Sequence, residues 1–185
     1  MLLIGKRASV LTRLAAALRA QGIGADRVRD VGQQETGGGP VERFSAGYGV
    51  VAFGRAVKAA DRERLRKTFT HTDPDIVFVD GYAPIVPLLV AQCEQALDRR
   101  PLGQRAIVDA AVRAGIVDVE LRVACRLRII AYRLDALRRT HEKTLFDREV
   151  EPGAHSAALG RRAGRSRNTF VVIRAGDEAA ALPVD

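Results

Sequence analysis

The sequence predicts a small parallel α/β domain followed by an antiparallel β-sandwich, and three observations carry that expectation. From residue 1 to about 103, short continuous apolar runs alternate with segments of helical periodicity, the pattern of a parallel sheet covered on both faces. From Val117 to Ile129 the period changes to two: Val117, Val119, Leu121, Val123, Cys125, Leu127 and Ile129 are apolar at consecutive odd positions. Between these halves "DRRPLGQ" (98–104) marks a break in composition, so the expected domains are 1–103 and 104–185.

In the first half, "MLLIG" reads as a strand, and Ser9 is placed to cap the following helix. In that helix Val10, Leu11, Leu14 and Leu18 recur at three- and four-residue spacing, and Gly22 supplies its stop. "ADRVRDV" (25–31) reads as a second strand. Residues 32–48, with three consecutive glycines and a proline, read as a long loop holding at most a short helix at Val41–Ser45. Such loops are either disordered or functional, and this one is positioned to close over the sheet edge. "GVVAFG" (49–54) is a third strand. Asp61 reads as the cap of a charged helix whose Leu65 and Phe69 mark the inward face. "DIVFVDGYAP" (75–84) is a fourth strand ending on Asp80-Gly81, and Pro84 begins a mostly apolar helix to residue 97. That helix is suited either to burial by both domains or to a dimer face.

In the second half, the alternating run is too long for one ordinary strand, so a turn is expected at Ala124-Cys125. At Ile129-Ile130 the apolar phase passes to Tyr132 and Leu134, which predicts a bulge. Further strands are expected at 142–150, at Ala154–Leu159 and across "NTFVVIRAGDEAAALPV", with Gly176-Asp177 at a hairpin tip. "RAIVDAAVR" (105–113) is either the first strand of the sandwich or a fifth strand of the α/β sheet.

Composition narrows the function classes. The net charge of +8 and pI near 10.3 suit a polyanion-binding protein. Yet only four of the thirty basic residues are lysines, and the arginines are spread along the chain, as GC-rich coding tends to produce. "RRAGRSR" is the densest basic segment. Its Arg161, Arg162, Arg165 and Arg167 read as a solvated loop or as a contact for nucleic acid or an acidic partner. The N-terminus lacks the apolar core of a signal peptide, and no segment has the roughly 18 apolar residues of a membrane span, so a bacterial-type cytosol is expected. Cys93 and Cys125 sit in apolar contexts and read as reduced, packed residues.

"MLLIGKR…VVAFG…DIVFVDG" resembles a response-regulator receiver or another flavodoxin-like, Rossmann-like domain. The resemblance implies an acidic pair after the first strand and a phosphoacceptor Asp after the third. Those places hold Gly5-Lys6-Arg7 and Gly54-Arg55, so the resemblance implies a pseudo-receiver. "CRLRIIAYRLDALRRTHEKTLFDREVEPGAHSAAL" is similar to the Ig- or fibronectin-like sandwiches of hook-capping and cell-surface bacterial proteins, which implies binding or spacing rather than catalysis.

The candidate ligand or anion site is the crevice outside the strand ends, the usual location in this architecture. Gly5, Lys6, Arg7 and Ser9 lie at the first strand–helix junction, where free N–H groups and two cations favour a phosphate or carboxylate. There is no G-x-G-x-x-G and no Walker lysine motif, so a dinucleotide is not indicated. Gly54, Arg55, Asp80, Gly81 and Tyr82 end the neighbouring strands. Asp80 is expected to pair with Arg7 or Arg55, or to serve as an acid or base. His71, His141 and His155 follow no metal-ligand spacing, His71 being placed for a helix C-terminus. No cofactor and no metal are expected. These readings point to a non-enzymatic binding or regulatory module that works through protein contacts, with self-association as one form. The alternatives are a domain for a nucleotide or phosphorylated metabolite and, less favoured, nucleic-acid binding.

Overall fold

The computed structural model describes residues 1–29, 47–160 and 168–184. The chain divides into two compact units, Met1–Leu97 and Asp98–Asp185.

The first unit runs β1 (Leu2–Gly5), α1 (Ala8–Arg19), β2 (Asp26–Arg29), β3 (Val50–Phe53), α2 (Ala59–Thr72), β4 (Val77–Asp80) and α3 (Val86–Leu97). Its strands form one parallel sheet in the order β2-β1-β3-β4. Strand side chains alternate between two cores, as the pleat requires. Leu3, Val50, Ala52 and Val79 join α1 and α3 on one face. Leu2, Ile4, Val28, Val51 and Phe53 join Leu65 and Phe69 of α2 on the other. The predicted alternation of strand and helix is therefore present, and both faces are covered.

Local boundaries differ from the sequence reading. Arg7, not Ser9, is the N-cap of α1, and Lys58, not Asp61, is that of α2; neither cap donates or accepts a side-chain bond. Ser9 and Asp61 instead lie in the first turns, where the acidic Asp61 suits the positive helix end. α3 begins at Val86, two residues after Pro84, with Pro87 in its first turn, where a missing N–H costs no helical bond. The short helix expected at Val41–Ser45 and most of the 32–48 loop lie outside the described residues.

The second unit is antiparallel: β5 (Ile107–Arg113), β6 (Ile116–Leu121), β7 (Cys125–Leu134), β8 (Thr140–Val150), β9 (Gly153–Ala158), β10 (Thr169–Ala175) and β11 (Glu178–Val184). β5 pairs with β6, which assigns residues 107–113 to this unit rather than to the parallel sheet. Two sheets result, β5-β6-β9 and β11-β10-β7-β8. Val117, Val119, Leu121 and Ala157 of the first and Leu127, Ile129, Ala131, Val171 and Ile173 of the second share one buried cluster. The alternating run breaks between Leu121 and Cys125, at the expected turn.

The bulge falls opposite Ile129-Ile130, but the extra residue belongs to the partner strand. Ile129 faces Phe146 and Ile130 faces Thr144, so Leu145 of β8 is the inserted one. β7 therefore keeps its phase: Leu127, Ile129 and Ala131 all point into the shared core. Ile130 and Tyr132, aligned with Val172 and Phe170, are buried on the opposite face. A stretch buried on both faces imitates a phase change in sequence, which is why the run seemed to flip.

One buried acid organises this unit. Glu178, at the start of β11 and only 4 % exposed, accepts the N–H groups of Ala106 (2.5 Å) and Ile107 (3.0 Å) at the head of β5. Arg100 neutralises it at 3.4 Å and also binds Asp98 and Asp177. The carboxylate thus satisfies strand-edge donors that the ladder leaves over.

Candidate functional site: the strand ends of the parallel sheet

β1, β3 and β4 end side by side on Gly5, Gly54 and Asp80-Gly81. The ladder continues one residue past β3 and past β4: Gly54 N–H donates to Ile4 C=O and Gly81 N–H to Phe53 C=O, both at 2.8 Å. A Cβ on Gly54 would lie 3.5 Å from Gly5 Cα, and one on Gly81 would lie 4.0 Å from Gly54 Cα, so the glycines form a contiguous row. At Gly81 any side chain would be crowded. A Cβ there would come within 2.8 Å of Leu89 Cδ2 and 3.2 Å of the Phe53 carbonyl oxygen. Its requirement is close approach between β3 and α3, not a left-handed backbone.

The predicted cations follow directly on these strand ends. Lys6, Arg7, Ser9 and Arg55 are exposed, and Tyr82 is half-buried. Gln92 of α3 fixes the turn after β4: its Nε2 donates to Asp80 C=O and its Oε1 accepts the Tyr82 N–H, both at 3.1 Å. Gln92 is buried while Glu94 and Gln95 of the same helix are not, and a polar residue at helical spacing from Leu88, Leu89 and Ala96 was the sequence signal of its role.

Asp80 does not pair with Arg7 or Arg55. Its carboxylate is held by α2: Arg62 Nη1 lies 3.2 Å from Oδ1 and Arg66 Nη2 lies 2.6 Å from Oδ2. The pleat explains the change of partner, because Phe78 and Asp80 share the sheet face that α2 covers. Each arginine is anchored elsewhere as well. Arg62 Nε donates to Val57 C=O at 3.1 Å, and its Nη2 donates to Arg55 C=O at 3.0 Å. The Arg66 guanidinium lies 5.8 Å and 5.6 Å from the ring centres of Phe53 and Phe78, within cation–π range. Its Nε is buried with no partner among the described residues.

The other candidates are not gathered here. Arg161, Arg162, Arg165 and Arg167 lie outside the described residues. His71 lies in the last turn of α2, as expected, while His141 meets Asp135 at 2.9 Å and His155 meets the Glu151 carbonyl at 2.8 Å. Among the described residues no group of three or more His, Cys, Asp or Glu side chains could hold a metal ion. Both cysteines are free. Burial pushes the Cys93 thiol up to about 12, which leaves it a packing residue at neutral pH. No helix among the described residues is long and apolar enough to cross a membrane. Compared with protein-family models, curated proteins and solved structures, the chain gives no match.

Proposed function

We propose that the chain is a non-enzymatic binding or regulatory module that acts through protein contacts, in which a pseudo-receiver α/β unit is joined to a fibronectin-like sandwich. The observation that carries this reading is the state of Asp80. Among the described strand ends it is the one carboxylate, and it is engaged by two arginines beside a row of glycines and exposed cations. A phospho-accepting edge needs carboxylates free to bind a divalent cation; this edge offers the opposite charge.

The fold reading is supported by topology. The order β2-β1-β3-β4 is the flavodoxin order 2-1-3-4-5 without its last strand. α3 accordingly returns to the face of α1, where the two helices share a core. In the second unit the first, second and fifth strands form one sheet, and the third, fourth, sixth and seventh form the other. That partition is consistent with a fibronectin- or Ig-like sandwich, a class used for binding and spacing. Sedimentation velocity over a concentration series tests the contact reading in its self-associating form, for which a concentration-dependent rise in sedimentation coefficient is expected.

A second reading, a site for a phosphorylated small ligand at the same edge, is favoured by the glycine row, which lets a ligand approach the backbone, and by Lys6, Arg7 and Arg55 around it. A single sedimenting species at every concentration, with a ligand-induced thermal shift abolished by Lys6→Ala/Arg7→Ala, would select this reading over the first.

A further inference from the structure

We propose that Arg62 and Arg66 form a clamp for the dianionic head of a phosphate monoester, and that Asp80 occupies the clamp as a built-in competitor when no ligand is bound. The inference rests on the second reading above and adds to it the residues that grip the anion and the device that gates them.

Two features set this cluster apart from an ordinary surface ion pair. Both guanidinium groups are positioned without help from Asp80: Arg62 by the carbonyls of Arg55 and Val57, Arg66 by the rings of Phe53 and Phe78. Arg62 Nη1 and Arg66 Nη2 each meet a different oxygen of the one carboxylate, and these other anchors would hold both beside that place once it is vacated, the preorganisation an oxyanion site needs. The charge balance also favours an incoming anion. The Asp80 carboxylate supplies one negative charge against two arginines, and Lys6, Arg7 and Arg55 follow the adjoining strand ends. A phosphate monoester brings nearly two charges and three acceptor oxygens where the carboxylate brings one charge and two.

Displacement is accessible. The Asp80 side chain is 44 % exposed and the pair is open to solvent, so its attraction is screened and modest. The carboxylate can swing out without unmaking the turn, because Gln92 holds the Asp80 backbone carbonyl and not the side chain.

The test is titration calorimetry of the full chain with inorganic phosphate at about pH 8, above the second pKa of phosphate, so that the dianion dominates. Ionic strength is held constant with chloride. If Asp80 fills the clamp about nine-tenths of the time, Asp80→Asn and Asp80→Ala each bind phosphate about tenfold more tightly than the natural chain. Adding Arg66→Gln or Arg62→Gln to Asp80→Asn removes that gain, while circular dichroism shows an unchanged fold. Glycerol phosphate and a phosphoserine tripeptide follow as probes; either one binding with the same dependence on Asp80 supports the clamp, and the tighter identifies its source. If phosphate binds the natural chain through Lys6 and Arg7 but Asp80→Asn changes nothing, the clamp is refuted and the second reading stands. If no variant binds phosphate, both fall.

Discussion

Replacing Gly81 by Ala tests whether the glycine row is a packing requirement. The added Cβ would sit 2.8 Å from Leu89 Cδ2, against about 3.5–4.0 Å for relaxed carbon contacts. On its other side the Phe53 carbonyl oxygen is 3.2 Å away, and that oxygen already accepts the Gly81 N–H. Leu89 is buried among Leu11, Leu14, Val79 and Val90, so it has little room to withdraw. Overpacking of this kind costs about 1–3 kcal/mol. The narrower unfolded ensemble of Ala returns about 0.4–1 kcal/mol, leaving a net loss of about 1–2 kcal/mol. Because the chain has two units, whole-molecule melting is a poor readout, and the assay is hydrogen exchange by mass spectrometry across a urea series, read on peptides of residues 1–29 and 47–97. The double variant Gly81→Ala/Leu89→Ala should lose about 1 kcal/mol less than the sum of its parts, since truncating Leu89 removes the clashing methyl. A Gly81→Ala protein as stable as the natural one, or strict additivity in the cycle, would refute the packing account.

Three further outcomes are expected. Gln92→Leu keeps the side-chain size but orphans the Tyr82 N–H and the Asp80 carbonyl, which should destabilise the first unit by about 1–3 kcal/mol in the same exchange assay. Glu178→Ala strips the Ala106 and Ile107 N–H groups of their acceptor at about 1–3 kcal/mol per donor left unpaired, and increased exchange at the head of β5 reports it. Acid should weaken the second unit in a defined window. A hydrogen bond from Arg100 holds Asp98 below its ordinary 3.8, and one from Arg126 does the same for Asp147. In both cases the unfolded chain binds a proton at higher pH than the folded one. The stability these pairs contribute is therefore complete above about pH 3.8 and lost as the pH falls through the lower folded values. Asp147→Asn should flatten the acid limb of the second unit's stability, read by the same exchange assay on peptides of residues 98–160; an unchanged limb contradicts the assignment.

Much of the architecture was legible because it rests on short-range periodicity. The three apolar runs of the first half, the charged segment "ADRVRDV" and the period-two run from Val117 became strands, and the break before Cys125 stood where strand length required one. The partners of Asp80 were not legible. Arg62 and Arg66 are two among many charges in their helix, and only the fold brings them to a carboxylate 18 and 14 residues away, respectively. Sequence adjacency to Gly5 and Gly54 pointed instead to Arg7 and Arg55, because strand ends are obvious while the face a side chain takes is not. Glu178 was hidden for a related reason: next to Gly176-Asp177 an acid reads as a turn residue, and its acceptor role depends on Ala106 and Ile107, more than seventy residues earlier. The bulge was located correctly but on the wrong strand, since Leu145 is apolar and disturbs no pattern.

The central proposal is that this sheet edge is a basic binding edge, not a phosphoacceptor site, because its carboxylate, Asp80, is held by Arg62 and Arg66. Exposure of the full chain to acetyl phosphate and Mg²⁺, followed by intact-mass analysis under conditions that preserve acyl phosphates, tests it most directly. The account predicts an unmodified chain, with Asp80 recovered as a free carboxylate. A Mg²⁺-dependent phosphoryl adduct on Asp80 would contradict it and make this edge a phosphoacceptor site.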